Sequence, residues 1–287
     1  IPAWYVKYND RYISFKKLKE MIEQFKSFLQ KSNLAPNTIE SYVWTVRYFI
    51  EKYPIINKQN LIAYKGFLLD NYKAQTVNLR LQAINKYLDF AKKSKLKMTF
   101  VKIQQKNFLE NVISQADYLF LKTQLKKDGY EDWYFLVWFL TATGARVSEL
   151  IQMKAEHLVQ GYLDIYSKGG KIRRLYIPKP LREESNEWLK EKGITSGYIF
   201  LNRFGRRITP RGIAQQLKAF AHKYDINPQV VYPHSFRHRF AKNFLDRFND
   251  LSLLADLMGH ESIETTRIYL RRTASEQQAI VDMVVNW

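Results

Sequence analysis

The chain contains no cysteine, so disulfides, thiolate-bound metals and cysteine nucleophiles are excluded. That absence agrees with a reducing interior. Long apolar runs are missing as well. The most hydrophobic stretch, Trp133 to Leu140, falls short of the roughly 18 residues a membrane span needs, and no signal peptide is visible. Acidic residues are scarce beside basic ones: 27 Asp and Glu stand against 46 Lys and Arg, a formal net charge of +19. A charge of that size repels itself in the compact state, so a polyanionic partner is expected. Nucleic acid is the first candidate and an anionic membrane surface the second.

What is present suffices for folding. Hydrophobic residues make up 46% of 287, enough for packed cores, and the length favours two domains. The pattern predicts a mainly α chain with a small β-sheet. Phe15, Leu18, Met21, Ile22, Phe25, Phe28 and Leu29 recur at helical spacing. A second helix is expected from Asn37 as cap, with Glu40 at the capping-box position, to Pro54. A third runs from about Lys58 to Tyr72, and a fourth carries Val77, Leu81, Ile84, Leu88 and Ala91. Four amphipathic helices make a small bundle. The lysine-rich stretch from Lys92 to Asn107 reads as a linker, either solvated or tracking phosphates. The expected division is a helical domain 1–94, a basic linker 95–107 and a second domain 108–287. In that second part Gly161 to Ser167 and Ile172 to Ile177 read as paired strands around a Lys168-Gly169-Gly170-Lys171 turn. Tyr198 to Leu201 is a candidate third strand, and the rest reads as helices.

Breaking a phosphodiester without a metal needs particular groups. Guanidinium forks offset charge on the nonbridging oxygens, a nucleophile attacks in line, and a proton donor meets the leaving oxygen. Arg146, in Thr143-Gly144-Ala145-Arg146, stands at a turn before a short helix. His234 and Arg237, in Pro233-His234-Ser235-Phe236-Arg237-His238, share a helix face at i and i+3. His234 and His238 are also spaced like a zinc pair, but no third ligand lies nearby, so no metal is expected. His260 follows a glycine helix stop in Leu257-Met258-Gly259-His260, and Tyr269 lies on the next helix.

The segments ATGARVSEL, SKGGKIRRLYIP, HSFRHRFAKNFL and LMGHESIETTRIYL resemble, in order, the motif series of the tyrosine recombinases. That family comprises phage integrases, bacterial chromosome-dimer recombinases and transposon resolvases. The resemblance is close from about Asn107 onward and is by pattern alone in the N-terminal third. It implies an N-terminal four-helix core-binding domain that binds DNA and an α+β catalytic domain. It implies that Tyr269 is the nucleophile, forming a 3′-phosphotyrosyl link, and that Arg146 and Arg237 clamp the phosphate. By the same resemblance His260 donates to a phosphate oxygen, Lys168 is the general acid for the 5′ oxygen, with Lys171 its rival, and His234 handles the tyrosine proton. The covalent link conserves the bond energy, so neither ATP nor any other cofactor is expected. His238 and Glu149 read as structural, His157 and His222 have no motif support, and Tyr198 and Tyr232 read as core or loop residues.

Candidate DNA contacts are Thr38, Lys73, Arg80 and Lys86 in the first domain, Lys171 and Arg173 on the hairpin, and Arg206, Arg207 and Arg211 around a later helix start. Near the end, Ser275 and Gln278 form an expected capping box, and Ile280, Val281, Val284, Val285 and Trp287 give an apolar stripe. In the family such a helix docks on a neighbouring protomer. The expected partners are therefore a double-stranded DNA site, three further copies in a tetramer and an accessory DNA-bending protein, in the cytoplasm of a bacterium and associated with its nucleoid. The favoured job is resolution or integration of a mobile element through a Holliday junction. A metal-free tyrosine topoisomerase and a DNA-binding protein without catalysis are the competing readings.

Overall fold

The structure is a computed structural model that describes residues 5–8, 11–104, 109–166 and 172–285. The chain divides into two compact units, Ile1–Gln105 and Lys106–Trp287. The first opens with an antiparallel hairpin, β1 (Tyr5–Tyr8) and β2 (Arg11–Ser14), which sequence reading did not anticipate. Four helices follow: α1 (Phe15–Lys31), α2 (Pro36–Lys52), α3 (Lys58–Asn71) and α4 (Ala74–Phe90). Leu18, Ile22, Phe25 and Leu29 of α1 are buried, as their helical spacing requires. They meet Val46 and Phe49 of α2, Tyr64 of α3, and Val77, Leu81, Ile84 and Tyr87 of α4. Phe25 meets Tyr87 edge to face at 5.2 Å, the geometry that ring quadrupoles favour.

The start of α2 corrects the expected cap. Pro36 occupies the first turn and Ala35 is the extended residue before it. The proline ring presets the helical φ and its missing N–H leaves nothing unpaired there, so Asn37 already lies within the helix. Asn57 does cap α3, accepting the Asn60 N–H at 2.8 Å. The stretch after α4 is not free chain throughout. The Asn85 side chain exchanges two hydrogen bonds with the Met98 backbone, both 2.9 Å. Asn78 does the same with Val101, at 2.9 and 2.7 Å, and Leu96, Met98 and Val101 pack on the bundle core.

The second unit holds α5 (Gln115–Lys127), α6 (Glu131–Thr143), α7 (Val147–Leu150), α8 (Ala155–Gln160), β3 (Tyr162–Tyr166), β4 (Ile172–Tyr176), α9 (Lys179–Glu191), α10 (Pro210–Lys223), α11 (Pro233–Arg247), α12 (Leu251–Met258), α13 (Ile263–Arg267) and α14 (Ala274–Val284). A 3₁₀ turn, Ile268–Leu270, follows α13. Strands β3 and β4 pair antiparallel with Leu163 opposite Leu175. On β4, Arg173 and Leu175 face inward between exposed neighbours, the period-two alternation of a half-covered strand. The connecting turn, with Lys168 and Lys171, lies outside the described residues. The expected third strand is corrected: Tyr198 and Leu201 each form only an isolated bridge, to Lys154 and Arg207. The last capping box also sits earlier than expected, with Thr273 and Glu276 bonding each other's backbone N–H. No helix among the described residues is long and apolar enough to cross a membrane.

Helix α6 threads the core and is apolar almost all round, with Phe135, Leu136, Val137, Phe139 and Leu140 buried. It stops at Gly144, whose φ of +62° is left-handed. A β-carbon there would lie 2.4 Å from the Phe240 ring on α11. Both the conformation and the contact demand glycine, and the turn aims the chain into Arg146. Gly144→Ala is expected to cost about 2 kcal/mol of stability, read as a lower urea midpoint for the full chain.

Candidate active site

Four backbone turns deliver the site. Arg146 is the residue before α7, directly after the Gly144 turn. Arg237 projects from the second turn of α11. His260 follows Gly259, which ends α12 in the left-handed region at φ +61°. Tyr269 lies in the 3₁₀ turn and is buried, packed with Ala241, Leu245, Leu254 and Met258. All four come from one chain, so the phenol reaches the arginine cluster without help from a second copy.

Glu149 organises the cations. Its carboxylate accepts the Arg146 backbone N–H at 2.7 Å, the Arg146 guanidinium at 2.9 Å and the Arg173 guanidinium at 2.7 Å. Backbone carbonyls take much of the remaining donor capacity. Arg146 donates to Gly259 at 3.3 Å, Arg173 to Met258, and Arg237 to Gly144 and, at 2.6 Å, to Met258. The expectation that Arg173 contacts DNA is thereby corrected. It is buried, ion-paired to Glu149, and acts as an internal strut. Arg146 keeps 38% of its side-chain surface exposed and is the cation available to an incoming anion. It lines a groove of 960 Å³ with Arg173, Arg174 and His260.

Arg237 also donates to Nε2 of His260 at 3.2 Å. A guanidinium only donates, so Nε2 accepts and the ring proton sits on Nδ1, facing Thr266 Oγ1 at 2.8 Å. His260 is therefore neutral in this geometry. Donation from Nε2 to a phosphate, the role the resemblance gave it, requires that nitrogen to leave Arg237 and gain a proton. Thr266, fully buried, orients the ring; it was missed because a hydroxyl six residues from the histidine carries no periodic signal.

Burial and positive charge hold all three imidazoles below their ordinary range. Burial, then Arg237 and Arg146, lowers His234. Burial first, then Arg237, brings His260 to about 4. Burial, then His234, brings His238 to about 4. Burial raises the Tyr269 pKa above the ordinary phenol value, while the charges of Arg237 and then Arg146 pull against that. Arg237 itself falls to about 10 through burial and the neighbouring Arg146 and Arg173. The His260 ring stacks beside Tyr269 with centroids 6.2 Å apart, and His238 lies 5.3 Å from it. His234 lies at the partly open rim, 6.5 Å from His238.

The structure brings Arg146, Arg237, His260 and Tyr269 together, sets His234 at the rim, and places Glu149, Arg173, His238 and Thr266 among them. Lys168 and Lys171 lie outside the described residues. Of the other candidate contacts, Lys73, Arg206, Arg207 and Arg211 are exposed, while Thr38, Arg80 and Lys86 are partly covered. Arg80 is engaged locally: it bonds Thr45 Oγ1 and lies 4.3 Å above the Trp44 ring. Arg207 stands 5.1 Å over Tyr198. Among the described residues no group of three or more His, Asp or Glu side chains is placed to hold a metal.

A buried phenol beside an arginine–histidine pair, with a second guanidinium open to solvent, is a cluster with the chemistry to attack an anionic ester. The phage integrase family model matches residues 113–276, more than half the chain, and the chain belongs to that family, the tyrosine recombinases. It is accordingly a DNA strand-transfer enzyme of site-specific recombination. The chain is 29% identical to the tyrosine recombinase XerA of Pyrococcus furiosus over 92% of its own length and 93% of that protein's. Its fold resembles the Tn1549 transposon integrase solved with transposon right-end DNA, at a TM-score of 0.69 and 13% identity, covering 92% of this chain and 99% of that one. It also resembles a lambda integrase tetramer solved on a Holliday junction, at 0.70 and 15%, covering 90% and 79%.

Two outcomes follow. Glu149→Gln removes the counter-charge of buried Arg173 and is expected to destabilise the protein by about 3 kcal/mol, measured by urea unfolding. The second concerns pH. The fold holds His238 neutral, whereas the unfolded chain protonates it near pH 6.5, so stability is full above that pH and declines as pH falls toward 4. From pH 7 to 5 this one group is expected to cost about 2 kcal/mol. Unfolding midpoints at the two pH values check it, and His238→Phe flattens the slope.

Proposed function

We propose that the chain cuts and rejoins double-stranded DNA at a specific site through a 3′-phosphotyrosyl bond on Tyr269. The supporting observation is that the buried Tyr269 ring packs against the ring of His260, which itself accepts from Arg237, all within one chain. Arg146 and Arg237 grip the nonbridging oxygens of the scissile phosphate. As the phenolic oxygen bonds to phosphorus, the P–O5′ bond breaks, and the 5′ oxygen takes a proton from Lys168. Attack by a 5′ hydroxyl from a partner duplex reverses the step on the new strand, through a Holliday junction. The residue-by-residue assignments rest on the family resemblance and on the fit of each group's chemistry.

The assembly is a tetramer on DNA. Val281, Met283, Val284 and Val285 stand 46–74% exposed along and just after α14, an uncovered apolar stripe suited to a neighbouring copy. Lys73, Arg206, Arg207 and Arg211 supply phosphate contacts, and an accessory DNA-bending protein brings sites together. The biological task is resolution or integration of a mobile element.

Selection of bound and cleaved sites from genomic DNA identifies the substrate. On a nicked suicide duplex carrying that site, the chain is expected to form a covalent adduct. Tyr269→Phe abolishes the adduct while DNA binding persists, and Arg146→Ala slows it at least 100-fold. No adduct with the unaltered chain, or relaxation of a random-sequence plasmid as fast as one with the site, overturns the reading.

A further inference from the structure

Between Glu191 and Asp225 the sequence holds no acidic residue. Arg203, Arg206, Arg207 and Arg211 lie in that stretch, all exposed, and no ion pair among the described residues includes them. In their midst stands Phe204, 71% exposed, more than any other phenylalanine among the described residues. Single exposed apolar side chains are common on proteins; what sets this one apart is its mounting. The Asn202 N–H donates to the Arg206 carbonyl at 2.7 Å, and the Gly205 N–H to the Asn202 carbonyl at 2.9 Å. The Asn202 side chain accepts the Phe204 and Arg206 N–H groups at 2.9 and 3.1 Å. Below the tip Leu201 bridges Arg207, and the Ile208 N–H donates to the Phe200 carbonyl at 3.1 Å. Phe200 is buried, edge to face with Phe139 of α6. Thr209 then caps α10, accepting the Gly212 N–H at 3.1 Å. The Arg203 guanidinium lies 4.7 Å over the Phe204 ring. The ring is a peg on a narrow ribbon anchored in the core. A turn by itself is better served by Asn, Gly or Ser at its tip, and a ring so open adds little burial to folding.

We infer that the Asn202–Arg207 turn enters the major groove of double-stranded DNA and that Phe204 packs on the C5-methyl group of a thymine there. The inference rests on the chain binding duplex DNA at a specific site and names a residue that reads the site. Four guanidinium groups without carboxylate partners select a polyanion. They disfavour an apolar protein surface, which would strip their hydration and return nothing. The major groove admits a two-stranded ribbon, and the thymine methyl is the apolar feature its base edges present. Arginine contacts to phosphates fix register without carrying sequence information. An apolar tip held among them supplies what they lack.

The experiment measures equilibrium binding of the full chain to the duplex site recovered by selection, with each thymine in turn replaced by uracil. That change removes one methyl and keeps the base pairing. For the unaltered chain one such replacement is expected to weaken binding about fourfold, the worth of one buried methyl. Phe204→Ala is expected to bind the unmodified site about tenfold more weakly and to be indifferent to that same uracil. Phe204→Leu, which keeps an apolar tip, retains part of the sensitivity. Because the ring is exposed, both variants keep the urea midpoint of the unaltered chain. Salt gives a second readout. Phe204→Ala leaves the slope of log affinity against log salt unchanged, whereas Arg206→Gln lowers its magnitude by about one. No thymine whose methyl matters, a uracil penalty that persists in Phe204→Ala, or a lowered salt slope in Phe204→Ala each overturns the inference. So does 2-aminopurine fluorescence that rises on binding only when Phe204 is present, since that reports a wedged base step instead. Covalent adducts on a site without any methyl effect overturn this inference alone. Absent adducts with the methyl effect intact overturn the proposed reaction and leave this inference standing.

Discussion

Arg146, Arg173 and Arg237 are brought together around Glu149 and the carbonyls of Gly144, Met258 and Gly259. Three fixed positive charges at close range repel one another, and burial strips their hydration. The protein offsets this with one carboxylate and a set of backbone dipoles. The compensation is incomplete: a net positive site remains, suited to an anionic ligand. The lowered histidines and the opposed pulls on Tyr269 follow from the same excess of positive charge in a dry setting.

The fold serves that cluster through chain reversals rather than through any single element. Gly144 and Gly259 both adopt left-handed conformations and both abut a site element: Phe240 for the first and Arg173 for the second. Their carbonyls are themselves acceptors for Arg237 and Arg146. Backbone geometry and electrostatics are thus the same feature seen twice. A glycine permits the turn, and the turn points a carbonyl at a guanidinium. The partial negative charge of those carbonyls costs no proton and cannot titrate away, unlike a further carboxylate would.

Legibility in the sequence followed periodicity and motif. The four helices of the first unit showed in the spacing of Leu18, Ile22, Phe25 and Leu29 and its counterparts, because one helix face must be apolar to bury. Arg146, His234, Arg237, His260 and Tyr269 were readable because their chemistry is rare and their order resembles a family series. Caps were less readable. Asn37 and Ser275 looked like caps, but Ala35 precedes α2 with Pro36 presetting its first turn, and Thr273, two residues earlier than Ser275, caps α14. Arg173 was misassigned because an arginine on a strand carries no mark of which face will be covered, and the strand's register alone decides it.

The residues and their order determined the class of chemistry: a phenol, arginines and imidazoles, on a chain too basic to lack an anionic partner. Only the tertiary structure decided which arginine is a strut and which is open, which histidine is bonded on both nitrogens and which is left with one bare, and that Tyr269 meets the cluster within its own chain. Those are matters of distance between segments far apart in sequence. They depend on packing and on the electrostatics of a shared interior, which no local pattern encodes.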